Sequence, residues 1–228
     1  MKCDAIVLAR GGSKGIPGKN ITDLLGKPLL AWTIERAKEA ACVRDVIVST
    51  DSEEIAAVAL RYGALVPALR PAEISGDRAS SESALQHALT HLCRKPLAEA
   101  ILFPQVTSPI RRSGLFDRAF AHFVDGRFDS LFSSTRVHNF IWRGGEVPVP
   151  MYDPLHRPMR QQLQPNEIFY RENGNFYVCR TPGFLDAGCR LFGKIGMFET
   201  GEDEALEIDE PRDLERVRAT LAAGPHFS

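Results

Sequence analysis

The sequence predicts an α/β fold built on an open, mostly parallel sheet. Three observations predict it. Short apolar runs alternate with amphipathic stretches along most of the 228 residues. A glycine-rich loop separates the first apolar run from the first helix. The bulk composition, 44% apolar and 25% charged, is that of an ordinary folded domain.

The elements follow in order. "CDAIVLA" (Cys3 to Ala9) is a continuous apolar run ending in glycines, as suits a strand buried on both faces. In "PLLAWTIERAKEA", Leu29, Leu30, Ile34 and Ala37 keep near-helical spacing, and Pro28 suits a first turn. "VRDVIVST" is a strand. In "DSEEIAAVALRYG", Asp51 is positioned to cap with Glu54 three residues on, and Gly63 marks the helix end. "ALVPAL" is expected as a short strand and "SESALQHALTHL" as a helix through Leu85, Leu89 and Leu92. "EAILFPQ" is a strand closed by Pro104, "SGLFDRAFAHFV" a helix and "DSLFSST" a strand. Strand character returns at "NFYVC" and near "FGKIGMFE", and Pro211 begins a last helix, "PRDLERVRATLAA". The alternation breaks over 136–171, which is rich in prolines and aromatics and has no helical period. So long an irregular stretch inside a domain has a task of its own. The expectation is one domain over 1–228 with 136–171 inserted as an arm for dimerisation and acceptor contacts.

Bulk charge and cysteine usage exclude several classes. The net charge of −1 gives no field for nucleic acid. Five cysteines, an odd number without metal or redox spacing, suit reduced thiols in the cytoplasm. "MKCDAIVLARGG" turns polar too soon for a signal peptide, and no apolar run could span a bilayer. His87 and His91 are four apart on a helix but have no third ligand nearby, so a helix face is the reading.

The loop "LARGGSKGIPGKN" carries Arg10, Lys14 and Lys19 among four glycines. Clustered cations repel unless an anion sits among them, and glycines allow backbone to approach a ligand closely. The position, after the first strand of an open sheet, suits a nucleotide. The dinucleotide fingerprint is absent. The P-loop also fails, because Ser13 stands where it needs a glycine and Asn20 where it needs Ser or Thr.

This loop, followed by "RPAEISGDRASSESAL", "QVTSPIR", "RQQ", "FYRENGNFYV" and "EIDEPRDL", resembles the acylneuraminate cytidylyltransferases, the CMP-sialic acid synthetases, over nearly the whole chain. The resemblance implies a Rossmann-like nucleotide-diphospho-sugar transferase sheet with an extended dimerisation arm. It implies an enzyme joining CTP to a nine-carbon 2-keto sugar acid, with Mg²⁺ and as a homodimer. Arg10 and Lys19 would hold the triphosphate, with Lys14 and the backbone of Gly11, Gly12 and Ser13 adding contacts. Asn20, Arg70, Ala79 and Ser81 would read cytidine, although Ser80 and Ser81 also suit a plain helix cap. Gln105, Thr107 and Ser108 would meet the sugar acid. Arg160 and Arg171 offer planar forks for its carboxylate, with Asn173 and Tyr177 beside them.

Glu207 and Asp209, two apart on an extended segment, can share a face and hold Mg²⁺ together with phosphate oxygens. The family commonly has Asp at both positions, so Glu207 departs from it. The stretch Phe140–Ile141–Trp142 stands where some relatives place a lysine, and Met159 where they place proline. These departures lie on the acceptor side and leave open another ulosonate or a phosphonate. No Asp lies near Gln105, unlike in the related CMP-Kdo synthetases. A catalytically silent nucleotide-binding protein is the rival from another class.

Overall fold

The computed structural model describes residues 1–13 and 15–224, the side chains of Arg160 and Asn166 excepted. Its strands are β1 (Cys3–Leu8), β2 (Asp23–Leu24), β3 (Lys27–Pro28), β4 (Val43–Ser49), β5 (Ala100–Pro104), β6 (Ser130–Arg136), β7 (Trp142–Arg143), β8 (Val149–Pro150), β9 (Tyr170–Arg180) and β10 (Ile195–Glu199). The α-helices are α1 (Leu29–Glu39), α2 (Glu53–Arg61), α3 (Ser81–His87), α4 (Leu115–Asp125), α5 (Thr181–Ala187) and α6 (Pro211–Ala223). A π-helical turn, Ala88–Leu92, extends α3.

The central sheet has the order β10-β6-β9-β5-β1-β4. β1 pairs in parallel with β4 and β5, and β10 with β6, while β9 is antiparallel to both its neighbours. Side chains alternate across the sheet as strand geometry demands. Cys3, Ala5 and Val7 of β1 join α1, α2, α4 and α6 in one core layer. Ile6 joins Ile101, Phe103, Tyr177 and the helices α3 and α5 on the other face. Helices on both faces explain why β1 is apolar throughout rather than alternating.

Most expected elements are present, with local differences. "ALVPAL" forms a single parallel bridge, Ile47 to Leu65, because Pro67 has no N–H to extend a ladder. The cap of α2 is Ser52, whose hydroxyl accepts from Ile55 N at 3.4 Å. Asp51 instead turns toward the glycine loop. Ser80 caps α3, accepting from Ser83 N at 3.1 Å. Helix α5, with Pro182 in its first turn, lies beyond the expected set. Segment 137–169 leaves the sheet between β6 and β9. It holds the β7–β8 hairpin and two 3₁₀ turns, Arg160–Gln162 and Pro165–Glu167.

All parallel strands end at one edge of the sheet, and β9 begins there. That edge gathers the loop after β1, Gln105–Ser108 after β5, Arg171–Asn175, and the segment from Thr200 to Asp209.

Candidate active site

The loop after β1 is held in shape by its own neighbours. Asn20 is buried and donates through Nδ2 to the Arg10 carbonyl at 2.9 Å. Gly11 N donates to Asp51 Oδ1 at 2.8 Å. Arg10 pairs with Asp77 at 3.0 Å. Lys19, a second cation-to-acid contact, reaches across the chain: its Nζ donates to the Ile208 carbonyl at 3.0 Å and to Asp209 Oδ1 at 3.1 Å. The loop and the acidic segment are packed backbone to backbone. A Cβ on Gly15 would stand 2.1 Å from the Asp209 carbonyl oxygen, so only glycine fits there. Lys14 lies outside the described residues.

The acidic segment is fixed from the other side by Ile208 N, which donates to the Thr107 carbonyl at 2.8 Å. Asp209 is exposed and Glu207 half-buried. Burial pushes the Glu207 carboxyl above its usual range, and the neighbouring Asp209 charge adds to this, with Arg171 and Lys19 opposing. Carboxylate oxygens of this kind, one of them exposed, are of the type that Mg²⁺ takes. No group of three or more potential metal ligands occurs among the described residues.

Beside the loop, Arg70 is buried; its backbone N donates to the Thr50 carbonyl at 2.7 Å and its Nε to Ser75 Oγ at 3.1 Å. Burial pushes its guanidinium down, Asp51 opposes, and nearby Arg10 adds to the fall. Arg10 and Arg70 therefore feel each other across the loop. Ala79 is half-buried, in the turn before α3, and Ser81 is the first residue of that helix.

The lip after β5 is organised around a bulge in β9. Its register against β6 shifts between Phe132 and Ser134, and Gly174 at the bulge has φ +64°. The missing side chain leaves space that Glu207 Oε1 and the Gln105 amide approach; a Cβ would sit 3.0 Å from the former and 3.3 Å from the latter. Asn173 is buried and donates to Thr135 Oγ1 and Thr200 Oγ1, both at 2.7 Å, so it fastens three strand ends together. Ser108 is buried with no hydrogen-bond partner for its Oγ among the described residues. Thr107 Oγ1 is 3.5 Å from Gln105 Oε1. The Tyr177 hydroxyl donates to Glu172. Arg171, Glu172 and Glu207 line an open cavity of about 910 Å³, bounded across it by His138 and Tyr170. The side chain of Arg160 lies outside the described residues.

Several residues that hold the site are not apparent from sequence motifs. Arg111 is fully buried and donates to Asn175 Oδ1 (2.8 Å), Thr33 Oγ1 (3.0 Å), the Gln105 carbonyl (2.7 Å) and the Asn175 carbonyl (2.9 Å). Burial pushes its guanidinium down to about 9, so it stays charged at neutral pH. Asn175 Nδ2 in turn donates to the Glu204 carbonyl at 2.7 Å, and Glu204 accepts from Arg112 N at 3.0 Å. This chain ties the Gln105 lip to the acidic segment. The only sequence signal for it is a charge, Glu204, three residues before Glu207.

The family model for cytidylyltransferases matches residues 5–137, from β1 through β6. The chain belongs to the cytidylyltransferase family. This cytidylyltransferase is 33% identical over 220 residues to a pseudaminic acid cytidylyltransferase of Campylobacter jejuni, covering 94% of each chain. It is 43% identical over 193 residues to a CMP-N,N′-diacetyllegionaminic acid synthase of Legionella pneumophila, covering 82% of this chain and 81% of that one. It is 37% identical over 211 residues to an N-acylneuraminate cytidylyltransferase of Danio rerio, covering 90% of this chain but 47% of that longer protein. Among solved structures, a CMP:2-keto-3-deoxy-manno-octonic acid synthetase complexed with CTP aligns with TM-score 0.68 at 20% identity, over 97% of this chain and 99% of that one. That likeness concerns the fold.

Proposed function

We propose that this cytidylyltransferase joins CTP to a nine-carbon 2-keto sugar acid, a nonulosonate, giving the CMP-sugar and pyrophosphate. The observation that carries this reading is the meeting of Lys19 with Asp209 at 3.1 Å. A cationic loop from the amino end and a carboxylate from the carboxyl end share one edge of the sheet, as a metal–triphosphate substrate requires. The named relatives supply the acceptor class.

In this reading the anomeric hydroxyl oxygen bonds to the α-phosphorus and gives up its proton to solvent, while the bond from that phosphorus to the bridging oxygen breaks and its electron pair leaves with pyrophosphate. Such transfers depend on positioning and charge neutralisation. Arg10, Lys19, Lys14 and the N–H groups of Gly11, Gly12 and Ser13 hold the triphosphate and stabilise the leaving pyrophosphate. Asp77, Asp51 and Asp209 then exchange their present partners for those of the substrate complex. Asn20, Arg70, Ala79 and Ser81 bound the cytidine. Gln105 and Thr107 face the acceptor, and Arg171 and Arg160 hold its carboxylate. Buried Asn173 acts by fixing the lip and Tyr177 by fixing Glu172, while the hydroxyl of Ser108, unpartnered among the described residues, is left to meet the acceptor. Glu207 and Asp209 would hold Mg²⁺, which when bound polarises the α-phosphate and orients the triphosphate.

The assembly is a homodimer formed through the arm. Trp142, Val147, Val149, Met151, Leu155 and Met159 are exposed there, and such a concentration of apolar surface favours a protein partner. The five free cysteines suit a reducing cytoplasm. No helix among the described residues is long and apolar enough to cross a membrane.

The test is pyrophosphate release from CTP and Mg²⁺ with a panel of nonulosonates, shorter ulosonates and phosphonates. Release with a nonulosonate is expected. Release with a phosphonate alone would move the acceptor class, and no release despite tight CTP binding would make the protein a silent nucleotide binder. Light scattering should give the mass of two chains, and a monomer at micromolar concentration would contradict the dimer.

A further inference from the structure

Two donors assigned above to the triphosphate are already held by carboxylates. Gly11 N donates to Asp51 Oδ1 at 2.8 Å, and Arg10 Nη2 lies 3.0 Å from Asp77 Oδ1. Asp77 belongs to the loop before α3, whose stem is firmly fastened. Arg70 N donates to the Thr50 carbonyl at 2.7 Å, Arg70 Nε to Ser75 Oγ at 3.1 Å, and Ser75 Oγ to the Pro71 carbonyl at 2.8 Å. Ala79 N then donates to the Gly76 carbonyl at 3.1 Å, which sets Asp77 at the exposed tip of a turn. A fixed stem therefore presents this carboxylate to Arg10.

Charge and exposure decide what the contact does. An empty cationic loop needs counter-charge, and Asp77 supplies it to Arg10. A polyphosphate supplies more, and beside it the same carboxylate is a like charge that repels. Asp209 differs, because Mg²⁺ would stand between it and the phosphates. The Arg10 and Asp77 side chains are 33% and 50% exposed. The pair can open without uncovering any buried group, so an entering anion can displace the carboxylate.

From these contacts we infer that Asp77 is an internal competitor for Arg10. Its carboxylate stands in the place of a phosphate oxygen while the site is empty, yields Arg10 to CTP, and reclaims it as pyrophosphate leaves. Asp77 thereby lowers the affinity of the loop for both polyphosphates and favours release of the product. The inference rests on the proposed grip of Arg10 on the polyphosphate and adds what sets its strength.

The experiment is titration calorimetry with CTP and, separately, with pyrophosphate, each with Mg²⁺ and without acceptor. The proteins are wild type, Asp77→Asn, Asp77→Ala, Arg10→Gln and the double variant Arg10→Gln/Asp77→Asn. Exposed ion pairs are weak, which limits the competition to about fivefold. Asp77→Asn is expected to lower Kd for CTP and for pyrophosphate by about two- to fivefold. Asp77→Ala should tighten both at least as much, since an amide still accepts a hydrogen bond from Arg10 and a methyl group does not. In the Arg10→Gln background, Asp77→Asn should change neither Kd. Weaker binding by both Asp77 variants would make Asp77 a contact that supports the nucleotide and overturn the inference; unchanged binding would overturn it as well. Tightening that persists in the Arg10→Gln background would arise from the general field of the acid, not from the pair, and would also overturn it. The reading beneath is tested apart. If Arg10→Gln weakens both ligands while neither Asp77 variant tightens them, the grip stands and only the competition falls. If Arg10→Gln alone binds both as tightly as wild type, the grip and the competition fall together.

Discussion

Replacing Lys19 with methionine separates what the cation does for the fold from what it does for the reaction. In the fold, Nζ makes one hydrogen bond to the Ile208 carbonyl and one ion pair to Asp209. The Asp209 side chain is 67% exposed, which limits the pair to at most about 1 kcal/mol. The hydrogen bond adds about 1 kcal/mol, and methionine keeps the buried stem. The expected destabilisation is about 2 kcal/mol, or a fall in Tm of roughly 4–8 °C for a chain of this size. In the reaction, loss of one positioned donor to developing phosphate charge lowers kcat by about 10²- to 10³-fold. The assay is pyrophosphate release at saturating Mg²⁺ and acceptor, with a thermal melt on the same sample. A folded variant that retains turnover within about threefold would refute the role of Lys19 at the phosphates. A melt lowered by more than about 15 °C would show that Lys19 is chiefly a strut between the loop and the carboxylate segment.

Other expected outcomes follow from the same geometry. Arg10→Ala should lower turnover by at least about a hundredfold while the fold persists, since its partner Asp77 is on the surface; unchanged turnover would remove Arg10 from the chemistry. Asp209→Asn should raise the Mg²⁺ concentration needed for half-maximal rate without altering the melt, because an amide is a poorer ligand for a hard cation; superimposable titrations would point to another ligand. Burial pushes the Cys93 and Cys179 thiols up to about 12, so both stay protonated at pH 8, whereas Cys189 is exposed. Alkylation followed by mass spectrometry should therefore modify Cys189 well before Cys93 or Cys179, and early labelling of either buried thiol would contradict the packing of β9 against α3.

What the sequence made legible was local. The buried run Cys3–Leu8, the glycine loop and the helices α1 and α4 declare themselves through periodicity and breakers within a dozen residues. The direction of β9 does not: "NFYVC" is apolar whichever way it runs, and its antiparallel insertion between β5 and β6 is decided by partners from Phe132, paired with Tyr177, back to Ile101, paired with Cys179. Asp51 suited the cap of α2, yet Ser52 takes it, and Asp51 is spent on Gly11 N instead. That choice depends on a loop 40 residues away. The cations of the loop were visible as a cluster, but the acids that neutralise them, Asp77 and Asp209, come from distant segments that only the sheet brings together. Arg111 was invisible for the same reason. A charge in "SPIR" before a helix looks solvated until β9 closes over it. Gly15 and Gly174 likewise gain meaning only from Asp209, Glu207 and Gln105 across the site.

Clustered cations after β1 and carboxylates before α6 make one triphosphate site in this account. The most direct measurement is a crystal structure grown with CTP and Mg²⁺. The account expects phosphate oxygens within hydrogen-bond distance of Arg10 and Lys19, with the ion between them and Asp209. Phosphates bound elsewhere, with the Lys19–Asp209 pair intact, would contradict it.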